Sequence, residues 1–341
     1  MTLTLYVDGP RWRSHLTRTA AETPGLVPVA KGNGYGFGVP RLARRAEWLG
    51  ADTVAVGTYD EVADVDRRFS GTVLVMQPWR RSPFGHDDAS TDPRIVHTVG
   101  RLEDLAALGQ RGDRPRVVLE ALTSMRRHGL VTADLATART SARGVRVEGH
   151  ALHLPLGGGH LAEVERWLAA APADRWYVSH LAAGELAELR RRHPEVEVRP
   201  RVGTALWLGE RAALAPKATV LDVHPVRRGD RVGYRQRRIL RAGWLLVVSG
   251  GTAHGIGLEA PAAATSARQR AVSIARGSLD AAGRALSPFV FGGRQRWFVE
   301  PPHMQVSMVF LPADATPPRV GDEVDVRVRH TITTFDRVVT S

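Results

Sequence analysis

Short β-branched runs recur from residue 26 to residue 200 with helical patterns between them, and this alternation constrains the fold more than any other feature. The runs lie at 26–30, 52–57, 72–77, 94–98, 116–120, 145–153, 175–179 and 196–200. Helical periodicity fills most of the intervals, near 11–22, 40–49, 59–68, 101–110, 131–142, 160–171 and 183–193. Strands alternating with helices in this way predict an α/β fold, an N-terminal (β/α)8 TIM-type barrel over 10–216. A doubly wound sheet is the runner-up, because a count of strands does not show closure. The segment 80–93 reads as a long loop. From about 217 the texture changes. Thr219–His224, Trp244–Val248, Gln305–Leu311 and Glu323–Arg329 look like strands separated by Gly, Pro and Asp, with a helix over 266–285 as the main exception. A mostly-β C-terminal domain is expected over 217–341, joined by an N-terminal strand within 1–9.

A chain of 341 residues is long enough for about two domains with self-sufficient cores. It has no cysteine, which excludes disulfides, thiolate metal sites and cysteine nucleophiles. The N-terminus carries no basic region ahead of an apolar stretch, and no run approaches the ~20 apolar residues of a membrane span. A soluble, cytoplasmic protein with no membrane partner is expected. The net charge of +12 does not point to nucleic acid. The arginines are scattered singly and in pairs on helical patterns, with few aromatics among them and no basic tail.

Almost every cation is arginine: of 47 Lys plus Arg, only Lys31 and Lys217 are lysines. Arginine keeps its proton, whereas a lysine amine can lose it and attack a carbonyl. Lys31 sits in Leu26-Val-Pro-Val-Ala-Lys-Gly-Asn-Gly-Tyr-Gly-Phe-Gly38. There a short apolar strand delivers it to its end, and alternating glycines let backbone approach a ligand closely. Lys217, in Ala-Pro-Lys-Ala, reads as a solvated residue of an exposed connector.

Barrel chemistry belongs at the C-terminal ends of the strands. Lys31 follows the first predicted strand, Glu120 ends the fifth, His153 ends the sixth, Ser179 and His180 end the seventh, and Arg201-Val-Gly-Thr204 follows the eighth. Each has a bland alternative. His153 could be a hydrogen-bonded core histidine, Glu120 a structural partner of nearby arginines, and Arg201-Val-Gly-Thr an ordinary turn. Their convergence on one rim is the stronger signal. A glycine at a helix start suits phosphate, and barrels commonly hold phosphate near the last loops. A reactive lysine after the first strand and a phosphate cradle after the eighth together suggest pyridoxal 5'-phosphate held as a Schiff base.

Val29-Ala-Lys-Gly-Asn-Gly-Tyr-Gly-Phe-Gly38 resembles the lysine motif of the alanine racemase family, the fold-type III pyridoxal-phosphate enzymes. Thr123-Ser-Met-Arg-Arg-His-Gly129, Glu148-Gly-His-Ala-Leu-His153, Arg201-Val-Gly-Thr-Ala-Leu-Trp-Leu-Gly209 and Gly229-Asp-Arg-Val-Gly-Tyr-Arg235 are similar to further motifs of that family. The resemblance covers nearly the whole chain. It implies that Lys31 binds the cofactor covalently, that Tyr35, Gly203 and Thr204 hold its phosphate, and that His153 packs on its ring. Arg201 would face the pyridine nitrogen, and Arg127 the substrate carboxylate. Tyr234 would be the second catalytic base, acting in trans in a head-to-tail homodimer. A plain strand tyrosine is the alternative for Tyr234.

The sequence departs from the family in several places. Glu120 stands where the family often has a carbamylated lysine, and supplies a negative charge without modification. His180 stands at the phosphate-contacting serine. Gly251-Thr-Ala-His-Gly255 replaces Gly-Tyr-Ala-Asp-Gly, so Thr252 and His254 are changed. Met304-Gln305 replaces the Met-Asp pair at the substrate wall, with Met304 retained toward substrate. The resemblance implies an isomerase of amino-acid metabolism, an amino-acid racemase using two-base proton transfer at Cα, with a substrate other than alanine left open. A pyridoxal-phosphate-binding paralogue with weak or no turnover is one alternative. A fold-type III decarboxylase is another, though such enzymes usually recruit a cysteine and this chain has none.

Overall fold

The computed structural model describes residues 2–81, 91–258 and 285–341. Most of the loop expected over 80–93 and of the helix expected over 266–285 lies outside these residues. Strand β1 (Leu3–Val7) and helix α1 (Gly9–Glu22) open the chain. Strands then alternate with helices: β2 (Val27–Pro28), α2 (Val39–Trp48), β3 (Thr53–Val56), α3 (Val62–Asp66), β4 (Thr72–Pro78) and β5 (Ile95–Val99). The series continues with α4 (Leu102–Gly109), β6 (Arg116–Ala121), α5 (Thr132–Ser141), β7 (Arg146–Leu152) and α6 (His160–Ala170). It closes with β8 (Arg175–Val178), α7 (Ala183–Arg192), β9 (Glu197–Val202) and α8 (Thr204–Leu208). These elements fall within a residue or two of most of the ranges expected from the sequence.

The eight strands β2 to β9 hydrogen-bond in the order β2-β9-β8-β7-β6-β5-β4-β3, all parallel. The two ends of that order meet. Val29, just past β2, bridges Ala55 of β3 in parallel, and the Ala30 amide donates to the Ala55 carbonyl at 2.8 Å. This bridge closes the sheet, so the fold is the barrel and not the doubly wound sheet. The barrel makes one compact unit, Arg13–Gly209.

Side chains alternate across a strand, and the parity here is readable from the core. Val27, Val29, Ala55, Leu74, Val96, Val118, Ala151 and Tyr177 form one buried cluster inside the barrel. Residues two positions further along share that inward face and stand at the mouth. They include Lys31, Gly57, Glu120, His153 and Ser179. Strand β9 is paired with β8 so that Arg199 lies opposite Tyr177, which puts Arg199 and Arg201 on the inner side. The intervening residues face the helices. His150 and Trp176 are such a pair, both buried and packed edge to face at 4.7 Å.

The other compact unit takes the chain up to Trp12 and from Glu210 onward. Its strands are β10 (Leu214–Val226), β11 (Arg231–Val232), β12 (Arg237–Arg238), β13 (Gly243–Ser249), β14 (Leu286–Phe291), β15 (Arg294–Trp297), β16 (Val306–Pro312), β17 (Glu323–Val326) and β18 (Arg337–Thr340). The long β10 organises them. Its first half pairs with β1 and β17, and its second half, after a register shift at Val220/Asp222, pairs with β13. Strand β13 pairs in turn with β16. Strands β11 and β12 form a separate two-stranded ribbon.

Lys217 corrects the sequence reading. It lies within β10, opposite Asp325 of β17, and its Nζ donates to Asp325 Oδ1 at 2.6 Å. The neighbouring Pro216 disguised a strand as a connector. Strands β14, β15 and β18 were also not foreseen. They are short, and Pro288 interrupts the first.

Burial pushes the His150 imidazole down to about 4, with Arg139 adding to the effect and a bond to the Ala171 backbone opposing it. The unfolded value is about 6.5. Unfolding therefore takes up a proton between these values, so the stability held by neutral His150 is full above about 6.5 and is lost as pH falls toward about 4. His150→Phe should reduce the acid slope of the denaturation midpoint in that window, by up to ~1.4 kcal/mol per pH unit. Urea titrations of both proteins at several pH values measure it, and an unchanged slope contradicts the account.

Candidate active site

The chain leaving β2 carries Lys31 out of the barrel and then folds sharply. Gly32, Gly34, Gly36 and Gly38 all take positive φ, and so does Tyr35 at 55°. The glycines permit that path, and Tyr35 is held in it because its ring is buried. A carboxylate that sequence reasoning missed fastens the turn. Glu61, after β3, accepts from the Gly32 amide with one oxygen and from the Gly57 amide with the other, each at 2.6 Å. The only sequence signal for it was its place just past a barrel strand. Its partners are backbone amides that no motif displays.

Lys31 is exposed at the mouth, yet its ammonium is partly desolvated by the surrounding walls. That burial, with the nearby Arg127 and Arg201 cations, lowers its pKa against an opposing pull from Glu61. A lowered pKa makes more of the amine available as a base or nucleophile near neutral pH.

Arg201 is buried on the inner face of β9, and one terminal nitrogen donates to the Leu152 carbonyl at 2.9 Å. Its Nε is buried without a hydrogen-bond partner among the described residues. Glu120, also buried, leaves its Oε2 likewise unpartnered. Burial raises the Glu120 pKa, while Arg201, Arg127 and Arg80 pull it down. Unpaired buried polar atoms are costly, and two of opposite kind at one mouth mark a place prepared for a polar ligand.

Arg127 reaches the rim on the loop after β6. Gly129 turns that loop back with φ 129°, where a Cβ would lie 2.4 Å from the Ala121 carbonyl carbon. Glu163 of α6, a second residue the sequence reading missed, accepts from the Ser124 amide and hydroxyl at 2.6 Å each. The Thr123 hydroxyl donates to the His153 carbonyl at 2.6 Å, tying the loop to the next strand end.

His153 lies just past β7. Burial lowers its pKa to about 3, helped by Arg201, Arg127, His180 and Lys31. The ring is therefore neutral at any ordinary pH. His180 follows β8 with φ 61°, and its ring stands 5.7 Å from His153 in a T-shaped contact. Its pKa is also lowered, by burial and by His160, Arg201 and Lys31.

Gly203 precedes α8. A Cβ there would come 2.0 Å from the Tyr35 hydroxyl, so only glycine lets the two elements meet. Burial, then Glu61, raise the Tyr35 pKa to about 12, and the phenol keeps its proton. Thr204 begins α8 and is exposed. Trp207 of α8 donates its indole N–H to the Val29 carbonyl at 2.7 Å, locking this helix to the strand that delivers Lys31.

The structure thus brings Lys31, Tyr35, Glu120, Arg127, His153, His180, Arg201, Gly203 and Thr204 to one end of the barrel. Tyr234 and Met304 belong to the other unit. Tyr234 stands 85% exposed on the turn between β11 and β12, and Met304 is 73% exposed. His254 is buried and engaged within its unit, accepting from the Gly251 amide at 3.2 Å and meeting Asp336 at 3.1 Å. Among the described residues no helix is long and apolar enough to cross a membrane.

The family model described as "Alanine racemase, N-terminal domain" matches residues 11–210, more than half of the chain. The chain belongs to the alanine racemase family. The alanine racemase of Mycolicibacterium vanbaalenii is 29% identical over 265 residues, covering 68% of this chain and 66% of that protein. That of Nitratidesulfovibrio vulgaris is 28% identical, covering 62% and 64%. These matches span just under two thirds of the relatives' own length. Among solved structures, alanine racemase from Bartonella henselae, with covalently bound pyridoxal phosphate, superposes with TM-score 0.72 at 17% identity over all of both chains. Alanine racemase from E. faecalis gives 0.69 at 18%, covering 99% and 98%. At these identities the structural likeness establishes the alanine racemase fold.

With only two lysines, the Lys31 amine can be followed chemically. Trinitrophenylation read by peptide mass should modify Lys31 at a pH where an ordinary lysine is still protonated. Arg127→Met removes one cation that lowers its pKa, so the Lys31 pKa should rise and its modification near pH 8 should slow. An equal or faster rate in the variant contradicts the electrostatic account.

Proposed function

We propose that the protein is a pyridoxal-phosphate-dependent amino-acid racemase working with two bases. One observation carries this reading: a lysine of lowered pKa shares a barrel mouth with two arginines, facing a glycine cradle closed by a buried tyrosine. Membership of the alanine racemase family supports it.

The residues fit the cofactor. The Gly203–Tyr35 approach leaves no room for a side chain where a phosphate would be held, and the Tyr35 phenol keeps a proton to donate. Gly203 and Thr204 would add backbone amides. The unpartnered Nε of buried Arg201 suits a ring nitrogen that accepts a hydrogen bond. His153, neutral through burial and surrounding charge, offers an uncharged ring face, and His180 beside it would contact the phosphate. Lys31 would hold the cofactor covalently. When bound, pyridoxal phosphate supplies a carbonyl for the substrate amine and a conjugated system that acidifies the Cα proton.

The chain's own groups do the rest. Arg127 binds the substrate carboxylate, and buried Glu120 balances Arg127 and Arg201. Arg201 keeps its proton and would leave a ring nitrogen that it donates to unprotonated, which would favour return of the proton to Cα over other outcomes. Lys31, as a free amine, would take or return the proton on one face of Cα. We assign the opposite face to Tyr234 of the partner subunit in a homodimer, with Met304 at the substrate wall. Thr252 and Gln305 depart from the family pattern at that wall, which argues against a site built for alanine alone.

Purified protein with added pyridoxal phosphate should incorporate solvent deuterium at Cα of at least one amino acid and racemise it in a chiral assay. No exchange across a broad amino-acid panel would sink the reading in favour of a cofactor carrier. Lys31→Ala should lose the visible absorbance of covalently held cofactor. Tyr234→Phe should slow inversion by about 10²–10⁴-fold, the usual worth of a positioned base. Exchange with retention on the Lys31 face should persist in that variant.

A further inference from the structure

Tyr234 sits on a ribbon of two residues per strand, too small to be rigid by itself. A third element holds it. Glu300 is buried at 3% exposure. Its Oε1 accepts from the Tyr234 amide at 3.1 Å and its Oε2 from the Arg235 amide at 3.2 Å. Gly233, at φ 74°, permits this approach, since a Cβ there would lie 2.2 Å from the Glu300 carboxyl carbon.

The same carboxylate also meets a side chain. His303 Nε2 stands 2.7 Å from Glu300 Oε1. The His303 ring centroid in turn lies 4.5 Å from that of Tyr234, tilted by 44°. His303 is fixed through its backbone as well, donating to the Val306 carbonyl and accepting from the Thr252 amide. Burial works to raise the Glu300 pKa. The bonds from His303 and from the Arg235 and Tyr234 amides, with the charge of His303, outweigh it, and the net shift is downward. One ionised, buried carboxylate therefore grips the backbone beneath Tyr234 and the ring beside it. Burying a charge is costly, and here its three partners all bear on the placement of one exposed phenol.

We propose that Glu300 and His303 are a positioning pair that holds Tyr234 in its working orientation, with neither touching substrate. The proposal rests on the reading of Tyr234 as a base. Its test uses the full-length protein with pyridoxal phosphate and compares His303→Ala, His303→Gln and Tyr234→Phe. For each, inversion and exchange with retention on the Lys31 face are measured separately. A misplacement of about 1 Å costs about 10²-fold in rate. His303→Ala should therefore lower kcat for inversion roughly 10- to 100-fold, with KM and Lys31-face exchange little changed. His303→Gln, which keeps a donor to Glu300, should recover part of the loss. A second readout needs neither cofactor nor turnover. The chain has five tyrosines, so the Tyr234 signal of carbon-labelled tyrosine is assignable by its loss in Tyr234→Phe. It should move toward the free-tyrosine position in His303→Ala.

Normal inversion in His303→Ala, with inversion lost in Tyr234→Phe, overturns the positioning pair and leaves the base reading standing. Equal loss on both faces, or an unmoved Tyr234 signal, overturns it as well. Unimpaired inversion in Tyr234→Phe overturns the base reading, and the catalytic purpose of the pair falls with it.

Discussion

The parallel bridge between Val29 and Ala55 is the contact on which the rest of the barrel mouth depends. An open sheet would leave Lys31 on an edge strand, far from the residues at the middle of the sheet. Closure puts it in a ring with the ends of β6, β7 and β9. It also fixes parity. Val29 inside the barrel means Lys31 inside the mouth, and a slip of one residue would turn the amine toward the helices. The indole of Trp207, bonded to the Val29 carbonyl, reinforces that register from α8. The strand that delivers the lysine and α8, which follows Gly203, are thereby tied together.

Charge at the mouth follows from the same parity. Strand β9 places two arginines on its inner face, two residues apart, and they meet different fates. Arg199 is paired with Asp52 and donates to the Gly25 carbonyl at 3.0 Å, so its charge is answered within the barrel wall. Arg201 has one carbonyl and the distant influence of Glu120. Positive charge left partly unanswered in a partly desolvated place lowers the pKa of Lys31 and holds His153 neutral. Those are the two conditions a basic amine and an uncharged ring face require. The arginine-rich composition thus matters locally, through Arg201 and Arg127 at the mouth, more than through its sum.

The barrel was legible because buried parallel strands are short β-branched runs and the intervening helices have their own period. Lys31 was legible by contrast, a lysine in an arginine chain. His153 and Arg201 stood out at predicted strand ends, and Arg127 and Tyr234 through motifs. Glu61, Glu163 and Trp207 were not, for one physical reason: each acts on a backbone group at least 29 residues away in sequence. Glu61 bonds the amides of Gly32 and Gly57, Glu163 the amide of Ser124, and Trp207 the carbonyl of Val29. Such partners have no residue type and leave no pattern. His254, which the motif comparison singled out, is engaged by the Gly251 amide and Asp336.

One device recurs beneath the three residues assigned to chemistry. Lys31, Arg127 and Tyr234 all ride on irregular backbone, at a glycine turn, a folded-back loop and a two-stranded ribbon. Each segment is pinned by a glutamate that accepts from main-chain amides: Glu61 under Lys31, Glu163 under Arg127, Glu300 under Tyr234. Loops allow a side chain to stand where no strand or helix could hold it, at the cost of precision. A carboxylate restores the precision, because bonds to a charged acceptor are stronger than neutral ones and each glutamate takes at least two, Glu163 from the Ser124 amide and hydroxyl. Such acids still act on the charges near them, and Glu61 opposes the fall in the Lys31 pKa that burial and the Arg127 and Arg201 cations bring about. Positioning by glutamate and a mouth whose cations lower the Lys31 pKa therefore coexist in one chain.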